Sequence, residues 1–355
     1  MKDEGGMNIE SAVCAPPLPH GEQIVMGHGA GGRMSRRLIE QAFLPAFQNP
    51  ALSAGNDAAL VMPDSRQRLS ISTDAHVVSP LFFPGGDIGR LAVCGTVNDV
   101  AMLGARPLYL TAGFILEEGL PMATLQRVIE SMRLAAEEAG VQIVAGDTKV
   151  VQKGKADGLY ITTTGVGVVR EGVEVGGANA RAGDAVILSG TIGDHGIAVL
   201  GARGELGFES SIRSDVAPLN HLIEAVLDVC PNVHVLRDPT RGGLATTLNE
   251  IALQSNLGIL LDEQTLPVHP QVAAACEMLG FDPLYIANEG KLVCMVPREE
   301  AEKVLGVMRK TRYGEGAVLI GEVAAEPKGC VLLKTVIGST RVLDMLAGEM
   351  LPRIC

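Results

Sequence analysis

The chain has 355 residues, 47% hydrophobic and 20% charged, enough apolar material for a sizeable core and too little charge for a disordered polyelectrolyte. At roughly 150 residues per domain, its length suggests two domains. Acidic residues outnumber basic ones 41 to 29, giving a net charge of −12, and aromatics are 3% with no Trp, which argues against both a phosphate-backbone binder and an aromatic base-stacking platform. A nucleotide stays compatible, because Mg²⁺ on carboxylates can hold its phosphates. No apolar run reaches the ~18 residues of a membrane span. The start, MKDEGGMNIESAVCAPPLPHGEQ, lacks the cationic and apolar regions of an export signal. Seven scattered cysteines without a CxxC fit free thiols in a reducing cytoplasm and give no zinc ribbon.

In chain order, residues 1–23 carry Pro16, Pro17 and Pro19 without periodicity and read as a disordered tail. Helical spacing of Leu38, Ile39, Ala42, Phe43 and Ala46 predicts a helix over 33–47. A strand follows at Leu69–Thr73, running into Asp74. Residues 87–103 form a helix with Ile88, Leu91, Ala92 and Gly95 on one face, and Pro107–Phe114 a strand. Helix 122–139 presents Leu125, Val128, Ile129, Met132, Ala136 and Ala139, and Gly140 stops it. Strand Val141–Ala145 ends in Gly146-Asp147, and Leu159–Val169 is a β-branched strand. The stretch VEVGGANARAGD (173–184) marks a boundary between domains at 24–172 and 173–340, with a mobile tail at 341–355. The second half reads as strand Ala185–Ser189, a GTIGDHG turn, and helix 215–228 with Leu219, Leu222, Ile223 and Val226 inward. Strand Val233–Leu236, the loop RDPTRGG, helix 244–255 and strand Gly258–Leu261 come next. A helix near 270–279, strand Leu292–Val296, helix 298–310 and two closing strands end it. Alternating strands and helices give an α/β or α+β class with mixed sheets.

The segment GHGAGG (27–32) matches GxGxxG, but no good βαβ unit surrounds it, so a loop over a ligand is the better reading than a dinucleotide site. No GxxxxGK[ST] P-loop occurs. Asp57, Asp74, Asp99 and Asp147 make a more informative set: Asp74 and Asp147 each follow an apolar strand, where α/β folds gather ligand groups. Converging carboxylates repel unless a hard cation sits among them, although four turn or cap aspartates would look the same. Asp238 and Arg241 in RDPTRGG mark either an anion-facing helix start or a simple cap, and Asp194-His195 in GTIGDHG sit in a similar glycine-rich turn whose polar residues face an anion or merely cap. His28 and His76 are isolated, with no metal-ligand spacing. Spacing alone gives no catalytic role to Lys149, two residues beyond Asp147, or to Glu289 in ANEGKL. Cys355 is the last residue of LPRIC; Pro352 breaks any helix, so the final residues read as extended and mobile and the thiol as exposed. Nothing follows the cysteine, so it is not a prenylation box.

Taken in order, GNDAA, STD, NDVA with MLGARP, AGDTKVV, GDHG, RDPTRGG and ANEGKL resemble the superfamily of aminoimidazole ribonucleotide synthetase (PurM), selenophosphate synthetase and thiamine-monophosphate kinase. Within it, SPLFFPGGDIG, GFILEEGLPM and the ending PRIC resemble the HypE family of hydrogenase maturation proteins, over about residues 24–355. The resemblance implies a PurM-like two-domain fold, with the N-terminal domain forming a β-barrel at a homodimer interface and an α/β C-terminal domain packed against it. ATP and Mg²⁺ would lie in the cleft. By motif, Asp57, Asp74, Asp99 and Asp147 would hold metal and phosphates, and Asn98, Thr148, His195, Asp238 and Arg241 would complete the nucleotide site. Lys149 and Glu289 would handle protons near Cys355.

The implied chemistry is ATP-dependent dehydration of a carboxamide on Cys355 to a thiocyanate, a source of cyanide for the iron of [NiFe]-hydrogenase. The implied partners are the carbamoyltransferase HypF and an iron-carrying HypC–HypD complex, with no nucleic acid or membrane. Two rivals stand beside it. One is a kinase or synthetase of the same superfamily acting on a free small molecule. A selenophosphate synthetase would need a Cys or selenocysteine in GHGAGG, which has none. The other is a non-catalytic thiol carrier, which would have no use for the aspartates.

Overall fold

A computed structural model of the chain describes residues 32–43, 50–62, 67–204, 211–346, 348, 351 and 353–355. The expected N-terminal tail, the start of the first domain at residue 24, residues 27–31 of the glycine loop, Cys14 and His28 lie outside them.

The first half builds strands β1 (Ala59–Val61), β2 (Leu69–His76), β3 (Phe82–Phe83), β4 (Gly86–Asp87), β5 (Ala105–Glu117), β6 (Gln142–Val151) and β7 (Leu159–Val169). Five of them form one sheet, ordered β1-β2-β7-β5-β6. Only β5 and β6 run parallel, joined by the crossover helix Met122–Ala139. Helix Ile88–Ala101 starts where the Asp87 carboxylate accepts the N–H groups of Gly89 and Arg90. Helix Met122–Ala139 ends at Gly140 in the left-handed region, φ 70°. Both pack on one face of the sheet through Ile88, Leu91, Val128, Met132, Leu159 and Ile161. Ile129 stays exposed although the stripe predicts it inward; Ala135 is buried instead.

Among the described residues the opposite face of this sheet carries no helix, and exposed Tyr109 and Ile115 stand on it. Strand β6 is exposed along almost its whole length. It is also longer than predicted. Pairing with β5 continues to Glu117↔Val151, so Asp147 sits in mid-strand rather than at a strand end. The same correction applies to Asp74, because β2 pairs with β7 as far as His76.

The second half forms a seven-stranded sheet from β8 (Ala185–Leu188), β9 (Val235–Arg237), β10 (Gly258–Asp262), β11 (Val293–Val296), β12 (Val318–Ala324), β13 (Val331–Lys334) and β14 (Thr340–Val342), ordered β14-β13-β10-β12-β8-β11-β9. Strands β8 and β11 are buried on both sides, which is why their sequences, AVIL and VCMV, are continuously apolar. Ile187, Leu236 and Cys294 meet Leu222, Val226 and Val304 on one face; Val186, Val235 and Met295 meet Leu244, Leu248 and Ile251 on the other.

Helix Asp194–Ala202 was not expected: GTIGDHG reads as a turn, yet Gly193, at φ 86°, opens a helix there. The stretch DHGIAVLGA is buried through most of its length, so it shows no amphipathic period. The chain end also differs. Residues 340–342 form β14, giving three closing strands, and Leu343, Met345 and Ile354 are buried where a mobile tail was expected.

The loop RDPTRGG turns on two left-handed glycines, Gly242 (φ 77°) and Gly243 (φ 63°). A Cβ on Gly243 would stand 2.6 Å from the Leu284 carbonyl oxygen and 2.7 Å from that of Ile286. Gly243→Ala is expected to destabilise the protein by roughly 2–4 kcal/mol, since a left-handed φ and a backbone clash act together, measured by urea denaturation. An unchanged midpoint would contradict this packing.

Candidate active site

The last residues enter the first core. Tail carbonyls accept backbone N–H groups just beyond β2, from Val77 to Cys355 O at 3.0 Å and from Ser79 to Arg353 O at 3.2 Å. Ile354 is 5% exposed. Cys355 is therefore half-buried against this core, not displayed on a free arm as its position in the sequence suggests. Desolvation and the neighbouring Glu289 carboxyl, which is hydrogen-bonded to it, hold the thiol well above its ordinary range; Arg241 opposes them. The thiol is neutral at rest.

Around it lies a buried acidic field. Asp99, near the end of helix Ile88–Ala101, accepts the Ser72 hydroxyl of β2 at 2.7 Å. Asp74 accepts from Thr96 at 3.3 Å. Asp57 pairs with Arg237 of β9 at 2.8 Å, and Arg237 also binds Glu250 at 2.6 Å. Burial raises every one of the following acids, and their mutual repulsion adds to it: Asp57 is pushed up to about 6 and Asp238 to about 8, with Asp99 and Glu289 well above the carboxylate range. Arg241 stands within electrostatic reach of Cys355, Asp74, Glu289 and Asp99. Glu289 is fixed through its backbone N–H, which donates to Asp215 at 3.1 Å, and Asp215 pairs with Lys291 at 3.2 Å.

This field suits a hard cation that arrives with phosphates. Glu289 Oε1 is buried without a hydrogen-bond partner, and the acids lack enough positive charge to keep them ionised. Among the described residues, no three His, Cys or acidic side chains already form a metal cage. Mg²⁺ takes one or two carboxylates and completes its shell with water and phosphate oxygens.

Residues 55–169 match the N-terminal domain of AIR synthase related proteins, and residues 181–334 the C-terminal domain. The carbamoyl dehydratase HypE of Cupriavidus necator is 58% identical over 333 residues, 94% of this chain and 95% of that protein. The HypE of a HypE–HypF complex superposes with a TM-score of 0.83 at 52% identity, over 87% of this chain and 99% of that one. HypE in complex with ATP superposes at 0.79 and 51% identity, over 94% and 100%.

The chain belongs to the HypE family. In this HypE-family structure, Asp57, Asp74, Asp99, Asp238, Arg241, Glu289 and Cys355 share one region. Asp147, Thr148 and Lys149 do not join them. Asp147 and Lys149 form an exposed 2.6 Å ion pair on β6, and Thr148 donates its N–H to Asp147. The register Ile115↔Lys149 sets Lys149 on the open face of the sheet, whereas Asp74, between buried Ser72 and His76, faces the helices. Asn98 spends its amide on architecture: its Nδ2 donates to Ala217 O at 3.0 Å, and its Oδ1 accepts from Leu219 N at 2.8 Å. Both His195 nitrogens are engaged, Nε2 with Ile354 O and Nδ1 with Ser214 Oγ.

Sequence reasoning passed over Arg237, although it opens the RDPTRGG loop beside Asp238. It also passed over Arg203 and Ser214, whose surroundings carry no motif. Among the described residues no helix is long and apolar enough to cross a membrane.

The raised acids give the ligand-free protein a pH dependence. A folded carboxyl above its ordinary 3.8 favours the folded state at low pH, and that contribution disappears as pH rises through about 6 for Asp57 and about 8 for Asp238. Thermal unfolding midpoints should therefore fall across this range, and Asp238→Asn should flatten the upper part of the fall. An identical slope in the variant would contradict the assignment.

Proposed function

We propose that this chain dehydrates an S-carboxamide on its own Cys355 to a thiocyanate at the expense of ATP, within hydrogenase maturation. The observation that carries this reading is the docking of the terminal thiol against Glu289 and Arg241, inside the acidic field. A passive thiol carrier would need no such field, and a kinase for a free substrate would not fill its own site with its chain end.

The chemistry follows from what surrounds the thiol. A HypF-type carbamoyltransferase supplies Cys–S–C(=O)NH₂. Amides do not release water readily, so the carbonyl oxygen first attacks the γ-phosphorus of ATP and ADP departs. Loss of both nitrogen protons and cleavage of the C–O bond release phosphate and leave Cys–S–C≡N. Asp57, Asp74 and Asp99 would offer the carboxylates for Mg²⁺, which would supply charge neutralisation at the phosphates. Asp238 shapes the same electrostatic environment. Glu289 accepts a proton from nitrogen; its raised proton affinity makes its ionised form a strong base at this spot. Arg241 offers a fixed positive charge to the developing anion. Tethering makes the reaction intramolecular and removes the entropy of bringing the partners together.

Asp147, Thr148 and Lys149 enter through pairing of two chains. The helix-free face bears apolar Tyr109 and Ile115, and the exposed edge strand β6 bears Ile143, Val144 and Val150; such a face and edge favour closure against a second copy. A barrel-like homodimer built this way would bring in Asp147 as a further metal and phosphate ligand and Lys149 as a second proton-handling group. Division into domains at about residue 173 separates the two sheets. The thiocyanate then passes to an iron-carrying HypC–HypD complex in a reducing cytoplasm, a setting that fits the six described free cysteines.

Cys355→Ala is the direct test. It should retain ATP binding by calorimetry while thiocyanate formation with a carbamoyltransferase and carbamoyl phosphate is abolished. Product formation without the thiol would overturn the reading.

A further inference from the structure

The grip on the tail is made almost entirely on its backbone, and from two sides. On one side, the N–H groups of Val77 and Ser79 bind the carbonyls of Cys355 and Arg353, so the tail runs antiparallel beside the continuation of β2. On the other, one helix supplies both contacts. His195, in its first turn, places Nε2 2.7 Å from Ile354 O, and Arg203, its C-terminal cap, donates Nη2 to Arg353 O at 2.6 Å. Arg203 Nε also donates to Ser79 O at 2.7 Å, so a single guanidinium ties the tail to the strand beside it.

The proton arrangement at His195 follows from its partners. Ile354 O can only accept, so the proton is on Nε2. Nδ1 must then accept, and the Ser214 hydroxyl donates to it at 2.8 Å. Ser214 Oγ in turn accepts the Val216 N–H at 3.1 Å. The edge-to-face contact with Phe83, centroids 5.5 Å apart at 89°, fixes the ring plane. The imidazole is thus held in one tautomer and one orientation, aimed at a carbonyl one residue from the thiol. Arg353 itself adopts φ 53°, which a non-glycine residue holds only under constraint; it also pairs with Asp157.

We propose that His195 and Arg203 are positioning residues: together they clamp the tail carbonyls and set the occupancy of the state in which the Cys355 thiol lies against Glu289. The clamp reads backbone and not side chains, so it holds the tail alike whether the sulfur is free, carbamoylated or converted. Its catalytic consequence rests on the proposed function; the clamp itself does not.

Alkylation of the full-length protein by iodoacetamide, with each cysteine followed by peptide mass, tests this. Cys94, Cys230, Cys276 and Cys294 are buried and Cys330 is partly exposed, so they report on the rest of the fold in the same sample. Loss of one hydrogen bond from the docked state should speed Cys355 alkylation about threefold to tenfold in His195→Leu and in Arg203→Met, with the other cysteines unchanged. His195→Gln, whose amide N–H reaches close to the position of Nε2, should return most of the way to the parent rate. Unchanged Cys355 alkylation in both variants overturns the clamp. If His195→Leu also exposes the four buried cysteines, Arg203→Met decides, because its contacts lie at the outer end of the groove. With Cys355 carbamoylated beforehand, the variants should lose kcat for ATP-dependent dehydration and keep KM for ATP. If the parent chain performs no dehydration at all, the proposed function fails while the alkylation rates still judge the clamp.

Discussion

The structure depends on one constraint: a terminal thiol and several carboxyl groups share a single low-dielectric space. Asp57, Asp99, Asp238 and Glu289 are all pushed upward by burial and by one another. Such a group is unfavourable for folding alone. It becomes intelligible as a site prepared for positive charge and phosphate, with Arg237 and Arg241 offsetting part of the repulsion in their absence. The thiol beside Glu289 is held above its ordinary range and rests neutral in the docked state; in the proposed function the chemistry concerns the group attached to it.

Both halves of the chain serve that space. The first sheet and helix Ile88–Ala101 contribute Asp74 and Asp99, and the second sheet contributes Arg237, next to Asp238. Asn98 bridges them by hydrogen bonds to the 217–219 backbone. Helix Asp194–Ala202 lies against the first core through Val199 and holds the tail in place. The thiol is half-buried and held against Glu289, so a partner enzyme reaches it more readily once the tail leaves its groove. The docked state must therefore be favourable but not permanent, as expected of a grip made of a few hydrogen bonds and one buried Ile354.

Much of this was legible in the sequence, where periodicity or a motif carried the information. Helix Met122–Ala139 and strand β7 have the predicted limits, because an amphipathic stripe ended by glycine and a β-branched run are strong local signals. The acids of GNDAA, STD, NDVA, RDPTRGG and ANEGKL come together as a set. What stayed hidden is what local pattern does not encode. Helix Asp194–Ala202 is buried through most of its length and so has no polar face to announce it. Asp147 looked like a fourth member of the acid group because it follows an apolar run, yet pairing with β5 extends the strand past it and the alternation turns it to the open face. The tail looked mobile because PRIC has no helical or strand signal; its partners, Val77, Ser79, His195 and Arg203, are distant in sequence and meet it through backbone groups.

The central claim is that Cys355 carries the group that is dehydrated. The measurement that bears on it most directly is the mass of the C-terminal peptide after incubation with a carbamoyltransferase and carbamoyl phosphate, taken before and after Mg–ATP is added. The account predicts a gain of one carbamoyl group followed by loss of one water, both on Cys355. An unmodified Cys355 in the presence of an active carbamoyltransferase would contradict it and would redirect the ATP site toward a free small molecule.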